Sequence, residues 1–195
     1  MMTSRQSTSD DANTSENRTI AILDAAYGNG FAAGACVLID GVASATPLAT
    51  RLIVLAHEAA DYHPGEFYKR ELPVLLALLD GSDAPDLIII DGYVHLDADG
   101  RAGLGAHLHA ALGGRIPIIG AAKTPFRGDD WSSSVLRGQS TRPLHVTAAG
   151  MEGDDAARIV RSLHGPHRIA TMCKLADKLA REALADALAK AADPA

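Results

Sequence analysis

Three acidic side chains lie within or directly after apolar segments, where burying a carboxylate costs free energy unless a cation lies beside it. Asp24 interrupts the apolar segment 19–27. Asp91 closes the apolar run 86–91, and Glu71 lies within a segment of helical spacing. A buried carboxylate needs a cation or a metal beside it. If the first strand neighbours the 86–91 strand and a helix crosses above them, the three carboxylates converge on one point.

Three converging carboxylates supply the oxygen ligands that Mg²⁺ or Mn²⁺ prefers, with room left for water and a phosphate. Metal ions held in this way activate water and stabilise the leaving oxygen in phosphodiester hydrolysis. The alternative is structural: Asp24 caps a bend and Glu71 faces solvent on its helix. Taken as a trio on this strand order, the residues favour the metal site.

A lysine and several histidines lie in the same part of the sequence. Lys123 ends the apolar segment 116–122, so it would face the same crevice as Asp91. It could hold a phosphate or the attacking water there, or be an ordinary surface lysine, and the residues alone leave both open. His107 and His109 are two apart and share no helix face, which argues against a compact two-histidine zinc site.

The segments that must position these residues indicate an α/β fold, with one mixed sheet flanked by helices. The 86–91 segment is a continuous apolar run bounded by breakers, typical of a strand buried on both faces. Asn29-Gly30 predicts a tight turn, and Pro73 predicts a kink or break near Leu72. The predicted strands are 19–27, 31–40, 51–58, 86–91, 116–122 and an edge pair at 134–137 and 143–147; the predicted helices are 64–80, 103–112, 154–163 and 172–191.

Length and composition bound the class of protein. The chain has 195 residues, and we expect a disordered polar tail at 1–18 and a single domain at 19–195. Its formal charge of −6 is unlike that of a sequence-independent DNA binder. Cys36 and Cys173 form no metal or redox spacing, which indicates a reducing compartment. With no signal peptide and no apolar run of membrane-spanning length, we expect a cytoplasmic protein.

Four blocks of sequence, in the same order, resemble those of the endonuclease V family. Residues 62–73 resemble its Y-x-P-G-x-x-x-x-R-E-x-P block, and residues 85–92 its P-D-hydrophobic-D-G strand. Gly103-Leu104-Gly105-Ala106-His107 resembles its G-hydrophobic-A-S-H block, and residues 117–123 its P-T-I-G-V-A-K block. Asp24 lies where the family's first-strand aspartate would be. The blocks are specific together, although each alone is weak.

This resemblance implies a ribonuclease H-like fold and an endonuclease that uses Mg²⁺, with Mn²⁺ as a substitute. Family members recognise deoxyinosine in DNA, or inosine in RNA, and cut the second phosphodiester bond on the 3′ side. By the same resemblance, the catalytic residues are the metal ligands Asp24, Glu71 and Asp91, together with Lys123 at the scissile phosphate. The implied nucleic-acid-binding residues, of which the first three would belong to a strand-separating wedge, are Tyr62, Pro64, Gly65, Arg70, Gly92 and His107. We expect the protein to act in DNA repair as a monomer.

Two blocks depart from the family pattern. The family's D-G-x-G-x-x-H-P-R block is replaced by residues 91–101, which lack the second glycine and the H-P-R order. The family's V-S-x-G-H block, whose histidine assists metal binding, ends here at Met151, and a thioether cannot replace imidazole at Mg²⁺. Acids that could supply an oxygen instead are Glu152, Asp154 and Asp155. We therefore expect a single well-ordered ion.

Two other functions are compatible with parts of this sequence. The first is a divergent member of the family, weakly active or non-catalytic, that binds nucleic acid with altered base specificity. The second is an unrelated Mg²⁺ phosphotransferase, which is disfavoured. A haloacid-dehalogenase-like enzyme needs an aspartate where Ala26 stands, and a dinucleotide-binding fold needs a third glycine after Gly103-Leu104-Gly105.

Overall fold

A computed structural model describes residues 18–56, 68–126 and 131–192 of the chain. In this part of the chain, the order of strands and helices is the one predicted from the sequence. The elements are β1 (Thr19–Gly28), β2 (Phe31–Asp40), β3 (Ala49–Ala56), α1 (Tyr68–Leu79), β4 (Leu87–Ile90), α2 (Leu104–Ala111), β5 (Ile118–Ala122), β6 (Ser133–Val135), β7 (Leu144–Ala149), α3 (Gly153–Ser162) and α4 (Thr171–Ala192). No helix within the described ranges is long and apolar enough to cross a membrane.

The strands form one mixed sheet in the order β3-β2-β1-β4-β5-β7-β6. The first three strands are the predicted antiparallel meander, and β6 and β7 are the predicted edge pair. β4 lies between β1 and β5 and is parallel to both, with Leu23 opposite Ile90 and Ile90 opposite Gly120. Because the carboxyl ends of parallel strands meet at one edge of a sheet, Asp24, Asp91 and Lys123 follow each other along that edge.

The β1–β2 hairpin explains how an acid in the middle of a strand reaches the edge of the sheet. β1 has ten residues and pairs with β2 along its whole length, whereas β4 has only four. The hairpin turns at Asn29 and Gly30, whose φ angles of 41° and 79° suit a tight turn between twisted strands. Asp24 therefore stays in the β1–β2 ladder yet lies level with the end of β4.

Helices cover the sheet on both faces, and alternate strand residues divide between two apolar layers. Along β4, Leu87 and Ile89 contact the layer under α3 and α4, whereas Ile88 and Ile90 contact the layer under α1 and α2. All four of these residues are at most 2% exposed, which confirms burial on both faces for residues 87–90 of the predicted 86–91 strand, whereas Asp86 and Asp91 at its ends are exposed. By the same alternation, Asp91 and Asp24 continue the rows that face α4.

The helix α1 differs from its prediction at Pro73. The described part runs without a break from Tyr68 to Leu79, so the predicted break near Leu72 is wrong. Proline removes one hydrogen bond to the carbonyl of the residue four positions earlier, here Lys69. Both Pro73 and Lys69 are exposed, so water can bind that carbonyl, while Val74, Leu75 and Leu78 remain buried on the opposite side. The predicted start of this helix at 64 lies outside the described residues.

Arg137, which follows β6, is a structural residue that the sequence did not reveal. Its side chain is only 5% exposed. The guanidinium donates hydrogen bonds to backbone carbonyls in the last turn of α3 and in the segment that joins α3 to α4, namely those of Arg161, Leu163, Gly165, His167 and Arg168. This single side chain therefore fixes the segment that leads into α4.

The Arg137→Met variant is expected to unfold more easily than the unmodified protein. Removing a buried donor leaves its acceptors unpaired, so the free energy of unfolding should fall by about 3 kcal/mol in urea titrations. The matched control is Arg158→Met, since Arg158 is 70% exposed and pairs with Asp155 on its own helix; its effect should stay below about 0.5 kcal/mol. Equal small effects of the two variants would contradict the structural role of Arg137.

Candidate active site

Asp24 is half-buried at the carboxyl edge of the sheet, whereas Asp91 beside it is exposed. Its Oδ1 accepts a hydrogen bond from the backbone N–H of Ala25 at 2.7 Å. Burial, followed by the nearby charge of Asp91, raises the pKa of the Asp24 carboxyl to about 6. A carboxyl group with a raised pKa at a crevice is a mark of a functional site, although structural acids can show it too.

Asp91 and Lys123 form an ion pair across the ends of β4 and β5. Lys123 Nζ lies 2.5 Å from Asp91 Oδ2, and the two side chains are 41% and 37% exposed. Burial lowers the pKa of Lys123, but the hydrogen bond and the charge of Asp91 together outweigh it, so the pKa is raised overall. The lysine is therefore charged at neutral pH and faces the same crevice as the acids, as predicted.

Glu71 approaches the edge from α1, on the face of the sheet opposite to α4. Its pKa is raised to about 8, first by burial and then by the charges of Asp24 and Asp91. The neighbouring Arg70 lowers the pKa only in part. That guanidinium lies 4.5 Å from the ring centre of Tyr27, whose hydroxyl donates to the Arg70 carbonyl. Glu71 is thus half-buried and faces inward, so the alternative in which it faces solvent does not hold.

The three acids line one small cavity of about 10 Å³, together with apolar side chains of β1, β4, α1 and α2. This volume is close to what the centre of one water molecule needs. Among the side chains of residues 18–56, 68–126 and 131–192, however, no three His, Cys, Asp or Glu groups are arranged closely enough to hold a metal ion as they stand. Asp24 and Asp91 lie in the rows that face α4 and Glu71 comes from the other face. Like charges placed in this way separate unless a cation lies between them.

Asp177 on α4 is an acid of this site that the sequence reasoning missed. It lines a second cavity, of about 120 Å³, with Asp24, Asp91 and Lys123. Its negative charge adds to the raised pKa of both Asp24 and Lys123, after larger contributions. The signal was present in the sequence: Asp177 follows the buried Ala176 and precedes the buried Ala180 by three positions, so it lies on the apolar stripe of its helix.

Met151 does not belong to this site, so its predicted place in the metal centre is wrong. β7 runs antiparallel to β5, so that Ala149 pairs with Ile118 at the start of that strand. Met151 therefore lies with Ile20 and Leu87, at the amino ends of β1 and β4. Glu152, Asp154 and Asp155 begin α3 at the same opposite end and cannot supply a ligand to the carboxylates.

Only some of the residues predicted to bind nucleic acid lie in the described part of the chain. Tyr62, Pro64 and Gly65 lie outside the described residues. His107 on α2 stacks on Tyr68 of α1, with ring centres 3.6 Å apart and planes 14° apart. Gly92 follows Asp91 with a φ of 134°, a conformation that side-chain-bearing residues rarely adopt. Arg70 and Gly92 are the chain neighbours of the cavity-lining Glu71 and Asp91, and the binding roles of Arg70, Gly92 and His107 stay predictions.

The sheet order, with acids at the ends of two adjacent parallel strands, places the fold in the ribonuclease H-like class. The chain belongs to the endonuclease V family, since residues 2–169 match the family model described as Endonuclease V. It is 34% identical over 149 residues to the endonuclease V of Streptomyces avermitilis, a match that covers 66% of this chain and 64% of that protein. It is 36% identical over 135 residues to that of Streptomyces coelicolor, covering 69% and 53%. The chain thus spans about half to two thirds of the length of these relatives.

Solved structures show the same fold. The crystal structure of the Streptomyces avermitilis endonuclease V superposes with a TM-score of 0.76 at 29% identity, covering 89% of this chain and 84% of that one. The Ciona intestinalis endonuclease V, solved with a 23mer DNA that contains an inosine followed by a ribo-adenosine, gives a TM-score of 0.74 at 18% identity and covers 90% and 89%. These neighbours confirm the predicted fold class, and the family model with the curated relatives confirms the predicted family.

Proposed function

We propose that this protein is a metal-dependent endonuclease that hydrolyses a phosphodiester bond on the 3′ side of inosine or deoxyinosine in nucleic acid. The observation that carries the proposal is the placement of Asp24 and Asp91 at the ends of adjacent parallel strands, with Glu71 lining the same cavity and Lys123 paired to Asp91. Membership of the endonuclease V family supports it, as does the inosine-containing DNA bound to the Ciona relative. A role in DNA repair and a monomeric, cytoplasmic protein complete the proposal, with the two free cysteines in favour of a reducing compartment.

The donor set fits a hard divalent cation. Asp24, Glu71 and Asp91 offer only carboxylate oxygens, which suits Mg²⁺ or Mn²⁺. Burial, followed by the charges of the neighbouring acids, raises the pKa values of Asp24 and Glu71, and a cation between them would offset both effects. Bound there, the ion would activate water and stabilise the leaving oxygen. Asp177 lies beside Asp24 on the α4 side and would add to the attraction for a cation.

The chain's own groups prepare the site for a charged substrate. The Lys123 ammonium neutralises part of the acidic cluster, and its position at the end of β5 lets it also meet a phosphate oxygen. With a pKa of about 8, Glu71 retains its proton at neutral pH in the absence of a cation. A cation bound between the carboxylates would favour the ionised form of Glu71, so this residue would give up its proton when it holds the ion. On the α1 side, we propose that the nucleic acid meets Arg70, Gly92 and His107.

A nicking assay on oligonucleotides tests this function. The protein should cut DNA or RNA that contains one inosine in the presence of Mg²⁺ or Mn²⁺, and should not cut in EDTA. The matched substrate carries guanine at the same position, and cleavage there should be slower by at least about 100-fold, since one base edge discriminates by a few kcal/mol. Absence of metal-dependent cleavage of every DNA and RNA substrate would end the proposal.

A second candidate function is binding without cleavage. It is favoured by the acids of the described segments, which are not pre-arranged around a metal. A formal charge of −6 gives no general attraction to nucleic acid, so such binding would depend on recognition of the base. Inosine-specific binding that is equal in EDTA and in Mg²⁺, with no product formed, would support this alternative.

A further inference from the structure

The loop that leaves Asp91 crosses directly over β5. A side chain at Gly120 would meet the Gly92 carbonyl oxygen at 2.5 Å and the Val94 nitrogen at 2.9 Å, so only glycine permits this crossing. The Val94 N–H then donates to Thr147 Oγ1 on β7 at 2.8 Å. The backbone on either side of Tyr93 is therefore fixed to two neighbouring strands.

Tyr93 joins this loop to the segment that follows Lys123. Its side chain is buried, with 8% exposure. The hydroxyl donates to the Thr124 carbonyl at 3.1 Å and accepts from the Phe126 N–H at 3.0 Å. One phenol thus holds two backbone groups one and three residues beyond Lys123.

Lys123 needs such a constraint, because its own side chain provides little. β5 ends at Ala122, so the backbone of Lys123 lies beyond the sheet. An ion pair between two side chains as exposed as Lys123 and Asp91 contributes about 0–1 kcal/mol. The long lysine stem also loses conformational freedom when it is ordered. The Lys123 carbonyl is bound on the other side by the Arg168 guanidinium, which also donates to the Pro143 carbonyl.

The surroundings of the Tyr93 ring keep it in place independently of its hydroxyl. Phe126 and Trp131 lie with ring centres 6.1 Å from it, and His145 at 6.5 Å. The indole N–H of Trp131 donates to the His95 carbonyl at 3.3 Å, in the same loop. A phenylalanine at position 93 would therefore keep these ring contacts and lose the hydroxyl's hydrogen bonds to the backbone of Thr124 and Phe126.

We propose that the Tyr93 hydroxyl is a positioning group that holds the Lys123 ammonium against Asp91. It acts through the backbone of residues 124–126 and does not itself touch the substrate. The proposal rests on the proposed function for its catalytic consequence, but the placement of Lys123 is measurable without activity. Tyr93 follows Asp91-Gly92, at a position that the family pattern leaves open.

A double-mutant cycle tests whether Tyr93 acts through Lys123. The Tyr93→Phe variant should lower the single-turnover cleavage rate about 10-fold and leave the Kd for the inosine oligonucleotide within about twofold, measured with Ca²⁺ in place of Mg²⁺. In the Lys123→Met background, Tyr93→Phe should have an effect of less than about twofold, because the group it positions is gone. Full additivity of the two losses, or an unchanged rate in Tyr93→Phe, would overturn the proposal.

The control removes a different hydrogen bond from the same loop. Trp131→Phe deletes the hydrogen bond to the His95 carbonyl, keeps an aromatic ring beside Tyr93 and leaves the Tyr93 hydroxyl bonded to residues 124 and 126, so its cleavage rate should stay within about twofold of that of the unmodified protein. If the unmodified protein cleaves nothing, the proposed function fails and a crystal structure of Tyr93→Phe decides the positioning proposal. Lys123 Nζ more than about 4 Å from Asp91, with faster amide exchange at Phe126, supports it. A Lys123 Nζ that keeps its place against Asp91 in the Tyr93→Phe structure refutes the proposal.

Discussion

The Asp91→Asn variant is expected to cleave an inosine oligonucleotide at least about 1000-fold more slowly than the unmodified protein, a loss of about 4 kcal/mol of transition-state stabilisation. Asparagine keeps the shape of aspartate and one of its oxygens. It loses the negative charge that attracts a divalent cation and that pairs with Lys123. The measurement is the single-turnover rate at saturating Mg²⁺. Circular dichroism and thermal melting should show an intact fold, because Asp91 is exposed at the sheet edge.

The control for this variant is Asp155→Asn. Asp155 is also an exposed aspartate with a basic partner, Arg158, but it lies at the amino end of α3, at the opposite end of the sheet. Its rate should stay within about twofold of the unmodified protein. A large loss of cleavage rate in Asp155→Asn would show that the acids of α3 do contribute to the active site. Normal cleavage by Asp91→Asn would remove this residue from the catalytic set.

The strand before Asp91 was predictable because its residues fit only one environment, a position in the sheet that is buried on both faces. The strand lacks the alternation of apolar and polar residues that a strand with one exposed face shows, since all of its residues 87–90 are apolar. A strand with one face in water would therefore expose two of these side chains, at a cost of about 1.5–3 kcal/mol each. Burial on both faces requires helices on both sides of the sheet, and that fixes the α/β class. An acid placed directly after such a strand emerges at the edge of the layers. The position of Asp91 therefore followed from local sequence.

Asp177 and Met151 were not predictable in this way, because their positions depend on pairings between distant segments. The end of the sheet reached by Met151 is set by the antiparallel pairing of β7 with β5. Whether Asp177 reaches the carboxylates depends on how α4 crosses β1 and β2. Glu71 is intermediate: it precedes Leu75 by four positions and Leu78 by seven, so helical spacing places it on the buried stripe. Only the sheet shows which acids it meets there.

In EDTA, the protein is expected to lose stability as the pH rises from 6 to 8. The Glu71 carboxyl has a pKa of about 8 in the folded protein against 4.5 for the unperturbed group. The folded state therefore holds a proton more tightly than the unfolded chain does, and this contribution to stability declines as the pH rises from 4.5 towards 8. For Asp24 the corresponding decline ends near pH 6, where its folded pKa lies. Between pH 6 and 8 the fall thus reports on Glu71, and it should be about 2 kcal/mol.

Replacing Glu71 isolates this effect. The Glu71→Gln variant carries no titrating group at that position, so its melting temperature should change little between pH 6 and 8, whereas that of the unmodified protein should fall by roughly 4–8 °C. Glu182→Gln is the matched control, since Glu182 is 57% exposed and pairs with Lys178 on the surface of α4; it should melt like the unmodified protein at both pH values.

Addition of Mg²⁺ at pH 8 links this stability effect to the proposed metal site. The cation favours the ionised form of Glu71, so it should restore the melting temperature of the unmodified protein and restore that of Glu71→Gln much less. The same pH-dependent fall in Glu71→Gln as in the unmodified protein would show that another group titrates. Equal stabilisation of both proteins by Mg²⁺ would place the cation away from Glu71, and the carboxylates that remain for it would then be Asp24, Asp91 and Asp177 on the α4 side of the sheet edge.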